Sequence, residues 1–323
     1  MNKSNNWLAL GVLVKRNIKL YLKDKMTVFF SVLAPIIILL LYVLFLGKIQ
    51  VDSIMGMLGD YGLAESLTRA DVQALINNWM IAGLMGISCI TVAINTNMVM
   101  LKDKASGNIN DILASPVKRW VVFLSYIITS FLITLAICSI VLILAIIYLA
   151  CSGGLMLSFV DFLAIIGITI ISTISSACLM VLICSFLKTP SSLGALNGVL
   201  GTAIGFVVGA YLPFSMLPKA MAYIACFIPG TYSVGLFREY FLRGCIENLT
   251  SKLPADSNIL ELLSDNYSLS LDFFGTEVST GWMTLVLLIS IVIFVGLIAI
   301  FYSNKRTNVF AIQNKKLKKR KQA

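Results

Sequence analysis

Six stretches of this chain run apolar without one Asp, Glu, Lys or Arg: Met26–Leu46, Trp79–Met100, Trp120–Ala150, Phe162–Leu187, Thr189–Leu212 and Trp282–Ser303. A helix of about 20 apolar residues crosses the hydrocarbon core, and a charge at its centre costs about 2.5–3.5 kcal/mol. The pattern therefore predicts an all-α membrane protein of six transmembrane helices. Trp79, Trp120 and Trp282 each open a run, where an indole is expected at headgroup level. The first run is too long for a signal-peptide core, and Gly47-Lys48 offers no small-x-small cleavage site, so it is expected to stay as span one.

The polar segments between the runs set direction. Alternate loops and both termini collect nineteen of the Lys and Arg residues, leaving six for the other side. The basic-rich side is expected to be cytoplasmic, which puts both ends of the chain in the cytoplasm and the protein in the cytoplasmic (inner) membrane. Residues 1–25 repeat Trp7, Leu10, Val14, Ile18 and Tyr21 at helical spacing, with Lys15, Lys19 and Lys23 on another face. That reads as an amphipathic helix lying on anionic lipid. Residues 304–323 form a basic tail with the same electrostatic preference.

Two polar segments carry more than topology. Between runs two and three, Gly107-Asn-Ile-Asn-Asp-Ile-Leu-Ala-Ser-Pro-Val117 reads as a short capped helix. Asn108 is the expected N-cap, Asp111 the residue that bonds back to it, and Pro116 the stop. Ile109, Ile112 and Leu113 are expected to face outward as a docking knob. After run five, prolines bracket an apolar piece, 220–228, too short to cross. With Pro218, Pro229 and Gly230 it reads as a re-entrant hairpin on the outer side, within a segment 213–280 that continues as a polar loop from 244. Asn248 and Asn266 each sit in a glycosylation sequon that matters only in a eukaryotic secretory host.

Composition narrows the chemistry. The 323 residues are 59% hydrophobic and 12% charged, against about 25% charged in soluble domains. The net charge of +10 is spread between apolar runs, which points to lipid headgroups and away from nucleic acid. There is no histidine, so the commonest proton carrier and metal ligand is missing. No two of the seven cysteines form a CxxC pair, and only Cys226 and Cys245 are placed to pair outside the membrane. The chain offers neither a metal site nor the clustered carboxylates of a membrane-embedded lipid-modifying enzyme. With no ionisable group inside a run, an ion-coupled carrier or channel is disfavoured too.

Within the runs, glycines at 194, 198, 201, 205 and 209 recur in GxxxG spacing. Gly201, Gly205 and Gly209 therefore suit close helix packing, a subunit contact or a pore wall. Asn95 and Asn97 need partners in hydrocarbon, as helix glue or as lining of a substrate path.

Together the basic surface helix, the six runs, the 107–117 motif and the region Leu217-Pro218…Ile228-Pro229-Gly-Thr-Tyr232…Phe237-Arg238 resemble type-2 ABC exporter permeases, the class that includes bacterial drug and antibiotic efflux proteins. The family's loop reads Glu-Arg-Glu-x-Gly-Thr-Leu-Glu, then Leu-Leu-x-x-Pro. Here Asp103 stands for a Glu, Asn108 for Thr and Asn110 for Glu. The resemblance implies a single permease domain that dimerises with a second copy or a paralogue around a path lined by spans two and five. It implies an ATPase-coupling role for Asp103, Gly107, Asn108, Asp111, Ile112, Leu113 and Pro116, and an outer gate at Pro218, Pro229 and Gly230. The chain holds no GxxxxGK[ST] phosphate loop, so ATP and Mg would be bound by a separate ATPase and no cofactor by this chain.

Overall fold

The computed structural model describes residues 3–60, 67–213, 218–253, 271–273 and 276–304. The basic tail, Asn266 and most of the polar loop lie outside them. Helix α1 (Lys3–Lys23) meets α2 (Lys25–Leu41), which passes through a π-helical turn (Tyr42–Leu46) into α3 (Gly47–Asp60). There follow α4 (Arg69–Thr96), α5 (Met98–Ser106), α6 (Asn108–Ala114), α7 (Arg119–Cys151), α8 (Phe159–Phe186) and α9 (Pro190–Val207). Next come α10 (Lys219–Cys226), α11 (Pro229–Lys252), a two-residue antiparallel pairing of β1 (Asp272–Phe273) with β2 (Thr276–Glu277), and α12 (Thr280–Asn304).

Six of the described helical stretches are long and apolar enough to cross a membrane: Lys25–Gly59, Arg69–Ser106, Arg119–Cys151, Phe159–Phe186, Pro190–Val207 and Thr280–Phe301. The fold is thus a six-span α-helical membrane protein. The core is built round α4, which packs on α2, α3, α7, α8, α9 and α11 and is buried along nearly its whole length. A helix apolar on all sides has no solvent face to offer and belongs in the middle of a bundle. The outer members α2 and α12 leave rows of Phe, Ile, Leu and Val exposed, as helices bathed by lipid tails should.

Two sequence expectations change, and the open question of the cysteines is answered. Trp79 lies ten residues inside α4 and is fully buried, because that helix begins at Arg69 and not at the apolar run. Of the three run-opening tryptophans, Trp120 and Trp282 are exposed near helix starts. The loop expected from 244 begins later, because the 24-residue helix α11 runs from Pro229 to Lys252, with Arg243 bonded to Asp161 and Asn248 and Lys252 to Asp71. Cys226 and Cys245 are both free thiols; the Cys245 sulfur accepts from the Asn78 amide and the Cys226 thiol donates to the Ala222 carbonyl.

Close approach explains the α4–α11 contact. A Cβ on Gly86 would fall 2.3 Å from Val234 Cγ2, and one on Gly230 2.3 Å from Ile90 Cδ1. By contrast nothing lies within 4 Å of a Cβ built on Gly194 or Gly198. Gly86→Leu should therefore drive α4 and α11 apart at a cost on the order of 1–3 kcal/mol, whereas Gly198→Leu should leave the isolated subunit unchanged. Thermal unfolding in detergent reads the difference, and equal melting temperatures would show that α11 does not depend on this contact.

Candidate functional site

One end of the bundle gathers α1, the α5–α6–α7 segment and the α8–α9 junction. Its centre is Asp103, on α5 and only 3% exposed. Arg16 of α1 donates from both guanidinium nitrogens to the two carboxylate oxygens, each at 2.7 Å. The Tyr126 hydroxyl of α7 donates to the same group at 2.7 Å, and the Asn108 amide reaches it at 3.5 Å. Four helices thus converge on one carboxylate. Hydrogen bonds to Asp103, working against desolvation, hold the Arg16 guanidinium above its ordinary pKa. Beside it Asn17 accepts from Arg16 and donates to Ser125 Oγ, so α1 is seated on α7 as well.

Two lysines extend the joint. Lys102 pairs with Asp24, whose carboxylate also takes the Thr27 hydroxyl and amide as the N-cap of α2. The bonds from Lys102, then those from Thr27, hold the Asp24 carboxyl below the usual carboxylate range. Lys104 donates to the carbonyls of Cys184, Ser185 and Leu187 at 2.7, 3.1 and 3.1 Å. An ammonium there satisfies carbonyls that the end of α8 leaves orphaned and complements the helix dipole.

The short helix after this joint forms, but differently from the expectation. Gly107 is its N-cap, at φ 83°, a left-handed turn that glycine adopts without a Cβ penalty, and it donates no side-chain cap. Asn108 is instead the first helical residue, its amide spent on Asp103, so the Asn108–Asp111 capping pair does not form. Pro116 ends the helix as expected: Ser115 is extended at ψ 162°, the conformation proline imposes on its predecessor. The apolar side is turned inward. Ile109 is buried in the core, and Ile112 and Leu113 pack half-buried on it. What the helix presents outward is Asn108, Asn110, Asp111 and Ala114.

In the span interior the predicted polar and glycine positions separate. Asn97, at the α4–α5 break, donates to Ala93 O at 2.7 Å and Ser130 Oγ at 3.2 Å, tying the break to α7. Asn95 accepts from Asn197 of α9 at 3.0 Å. Gly205 lies under the Tyr211 ring, while Gly201 meets no more than its own helix's Asn197. Gly209 is past the helix end at φ 70°, with Ala210 N bonded to Gly205 O and Gly209 N to Phe206 O. That is the Schellman ending, so Gly209 is a cap and leaves the stripe. Pro229 and Gly230 open α11, which meets α10 at 89°, with Pro218 at the far end of α10.

The family model for ABC-2 type transporters matches residues 9–242. The chain belongs to that family. No curated protein matches it. An ABC-2 protein of this kind is the membrane-spanning permease component of an ABC transporter, normally paired with a separate nucleotide-binding ATPase subunit.

Sequence reading of this permease missed Arg238. It is 2% exposed, stacks over Trp79 at 4.4 Å from the ring centroid, and donates to the Gly209 carbonyl. Tyr42 donates to the next carbonyl, Ala210, at 3.0 Å. The tryptophan that does not sit at the headgroups was the available sign, since an indole face is the preferred partner of a buried cation.

Arg16→Ala leaves a buried carboxylate with Tyr126 and Asn108 alone. The cost should be about 2–3 kcal/mol, under the 3–5 of a fully enclosed pair because part of the Arg16 side chain meets solvent. Arg16→Lys should recover only part of it, having lost the two-pronged geometry. Limited proteolysis of α1 in detergent checks this, and unchanged cleavage would mean that the clamp does not hold α1. Asp24 adds a pH signature. Its folded pKa is depressed, so its contribution is present above the unfolded carboxylate value near pH 4 and lost as pH falls through the lower folded value. Asp24→Asn should flatten that acid limb.

Proposed function

We propose that this permease is the membrane subunit of an ATP-driven exporter that moves an amphipathic or hydrophobic substrate, such as a drug, lipid or peptide, outward across the cytoplasmic membrane. The observation that carries the reading is the joint at Asp103. It fastens the surface helix α1 and the short helix α6 rigidly to the ends of spans two and three. A partner that pushes on α1 or α6 therefore pushes on α4, the helix round which the bundle is packed.

The partner is a separate ATPase that binds ATP and Mg. Its contact is the polar face of α6, with Asp111 exposed, Gly107 shaping the turn and Pro116 ending it. Ile112 and Leu113 brace the helix from behind. Asp103 is too deeply buried to touch a partner and acts by positioning. The positive-inside asymmetry supports a cytoplasmic placement of this end and of both termini, with α1 and the tail on anionic lipid. The bend between α10 and α11, with Pro218, Pro229 and Gly230 at its corners, supports a re-entrant outer gate: Gly230 packs at Ile90, well inside span two. The open glycine face of α9, Gly194 to Gly201, supports contact with a second permease copy or paralogue, with Asn95 and Asn197 beside the path. Gly205 and Gly209 shape the end of that helix. ATP-driven closure of the partner would bias two such subunits between inward- and outward-open states.

Topology is checked with single cysteines in a cysteine-free background. Labels at 60, 153 and 260 should react with an impermeant thiol reagent from outside, and labels at 105, 189 and 315 only after cells are opened. Outside reaction at 105 or 315 would overturn the placement. For coupling, Asp111→Lys should leave melting temperature intact yet weaken ATPase recruitment, since it inverts the charge that α6 presents and opposes its dipole. Ile109→Ala should do the reverse, costing about 2–4 kcal/mol of stability first. Co-purification of the ATPase in detergent distinguishes them, and normal recruitment by Asp111→Lys would reduce α6 to a plain connector.

A further inference from the structure

A cleft of about 690 Å³ between α7 and α12 opens beside the end of α6, with Leu113 and Pro116 on its rim, and includes none of the residues that bond Asp103. Lys118, Arg119 and Trp120 stand at its mouth, and no acidic residue lines it. Neither cation forms an ion pair among the described residues. Its walls are Phe123 and Ile127 on one side and Val295 and Ile298 on the other. From Arg119 to Ile127 the cleft follows α7 for about 12 Å at 1.5 Å per residue, inside a run free of charge. Trp120, edge-on to Trp7 at 6.3 Å, marks the interfacial level.

We infer that this cleft holds a resident anionic phospholipid of the inner leaflet, its phosphate on Lys118 and Arg119 and one acyl chain between α7 and α12. The form of the cleft decides between occupants. A protein seated on the end of the bundle can cover the two cations and the rim at Leu113 and Pro116 but cannot reach the deeper walls at Ile127 and Val295, which lie at membrane depth. A free anion would use the cations and leave the apolar slot empty. A neutral lipid would fill the slot and leave two unpaired charges beside it. An anionic lipid satisfies both, and the basic charge attracts it to the surface beforehand. The inference rests on this end facing the anionic leaflet, which the thiol labels test on their own.

The test is photocrosslinking of the full permease in nanodiscs carrying phosphatidylglycerol or phosphatidylcholine probes with a diazirine in the acyl chain. Both leaflets then hold the probe, so the result does not depend on orientation. The phosphatidylglycerol probe should mark peptides containing Phe123–Ile127 and Val295–Ala299 above the level of other lipid-facing helices. Lys118→Gln with Arg119→Gln should lower that labelling roughly thirtyfold, to the phosphatidylcholine level. Ala299→Trp, which fills the slot from the exposed side of α12, should abolish labelling by both probes there, with melting temperature confirming the fold. Equal labelling by the two probes, or labelling unmoved by the glutamine pair, overturns the inference. So does displacement of the probe by the ATPase, which would make the cleft a protein interface, or its release on ATP turnover, which would make the lipid cargo.

Discussion

A carboxylate held out of water beside hydrocarbon must be paired, and the cost of leaving it unpaired governs how this permease is assembled at its basic end. Asp103 has every oxygen committed: both to Arg16, one shared with Tyr126, the other approached by Asn108. No one of these donors sits on the same helix as the carboxylate: Arg16 of α1 neutralises the charge, and the neutral donors Tyr126 of α7 and Asn108 of α6 complete its hydrogen bonding on α5. That makes docking of the surface helix a condition of the fold and not an accessory to it. Any displacement of α1 alone would expose a desolvated charge, so α1, α5, α6 and the start of α7 move together or not at all.

The remaining ionisable groups follow the same economy at helix ends. Lys104 lies on the last carbonyls of α8, and at the opposite end of the bundle Arg243 reaches Asp161, in the first turn of α8, at 3.0 Å. Helix α8 thus has a carboxylate in its first turn and an ammonium on its last, both signs matching its dipole. Lys252 and the Asn248 amide bond Asp71 in the first turn of α4, so the end of α11 closes on the start of α4. These contacts fix which loops share an end of the bundle without any reference to the bilayer. The grouping they give is the one the Lys and Arg asymmetry predicts.

The spans were legible because exclusion of charge over about 20 residues is a property of local sequence, and the physics that enforces it acts on each helix separately. Positions decided by a partner distant in sequence were not. Trp79 opens an apolar run, and nothing near it in sequence says that Arg238 will stack on it. Gly209 fits the GxxxG spacing, and only the turn made after Val208 converts it into a cap. An isolated short helix in a polar loop offers Ile109, Ile112 and Leu113 no core, so local sequence places them outward. The core comes from α5 and α7, brought alongside by the Asp103 joint. Local sequence likewise makes Asn108 the cap, because nothing in the short helix reveals that a carboxylate five residues back claims its amide.

Helix α9 is attached unlike any other span. Its apolar window is mostly exposed, and its glycine face from Gly194 to Gly201 meets no other helix of the described chain. What holds it within the subunit is Leu193 in the core near one end, the Asn95–Asn197 amide pair midway, and a lock at the other end. There Arg238 and Tyr42 take the carbonyls of Gly209 and Ala210, carbonyls that the Schellman turn leaves pointing away from the helix. Between these points one face of α9, with Leu196, Leu200 and Ile204, packs on the core while the glycine face does not, so α9 is held on one side where α4 is enclosed on all. The guanidinium of Arg238, stacked on Trp79 and donating to Gly209, makes that end of α9 the stiffer of the two. At the basic end Lys104 joins the α8–α9 turn to the Asp103 joint, so a displacement of that joint is carried to the start of α9.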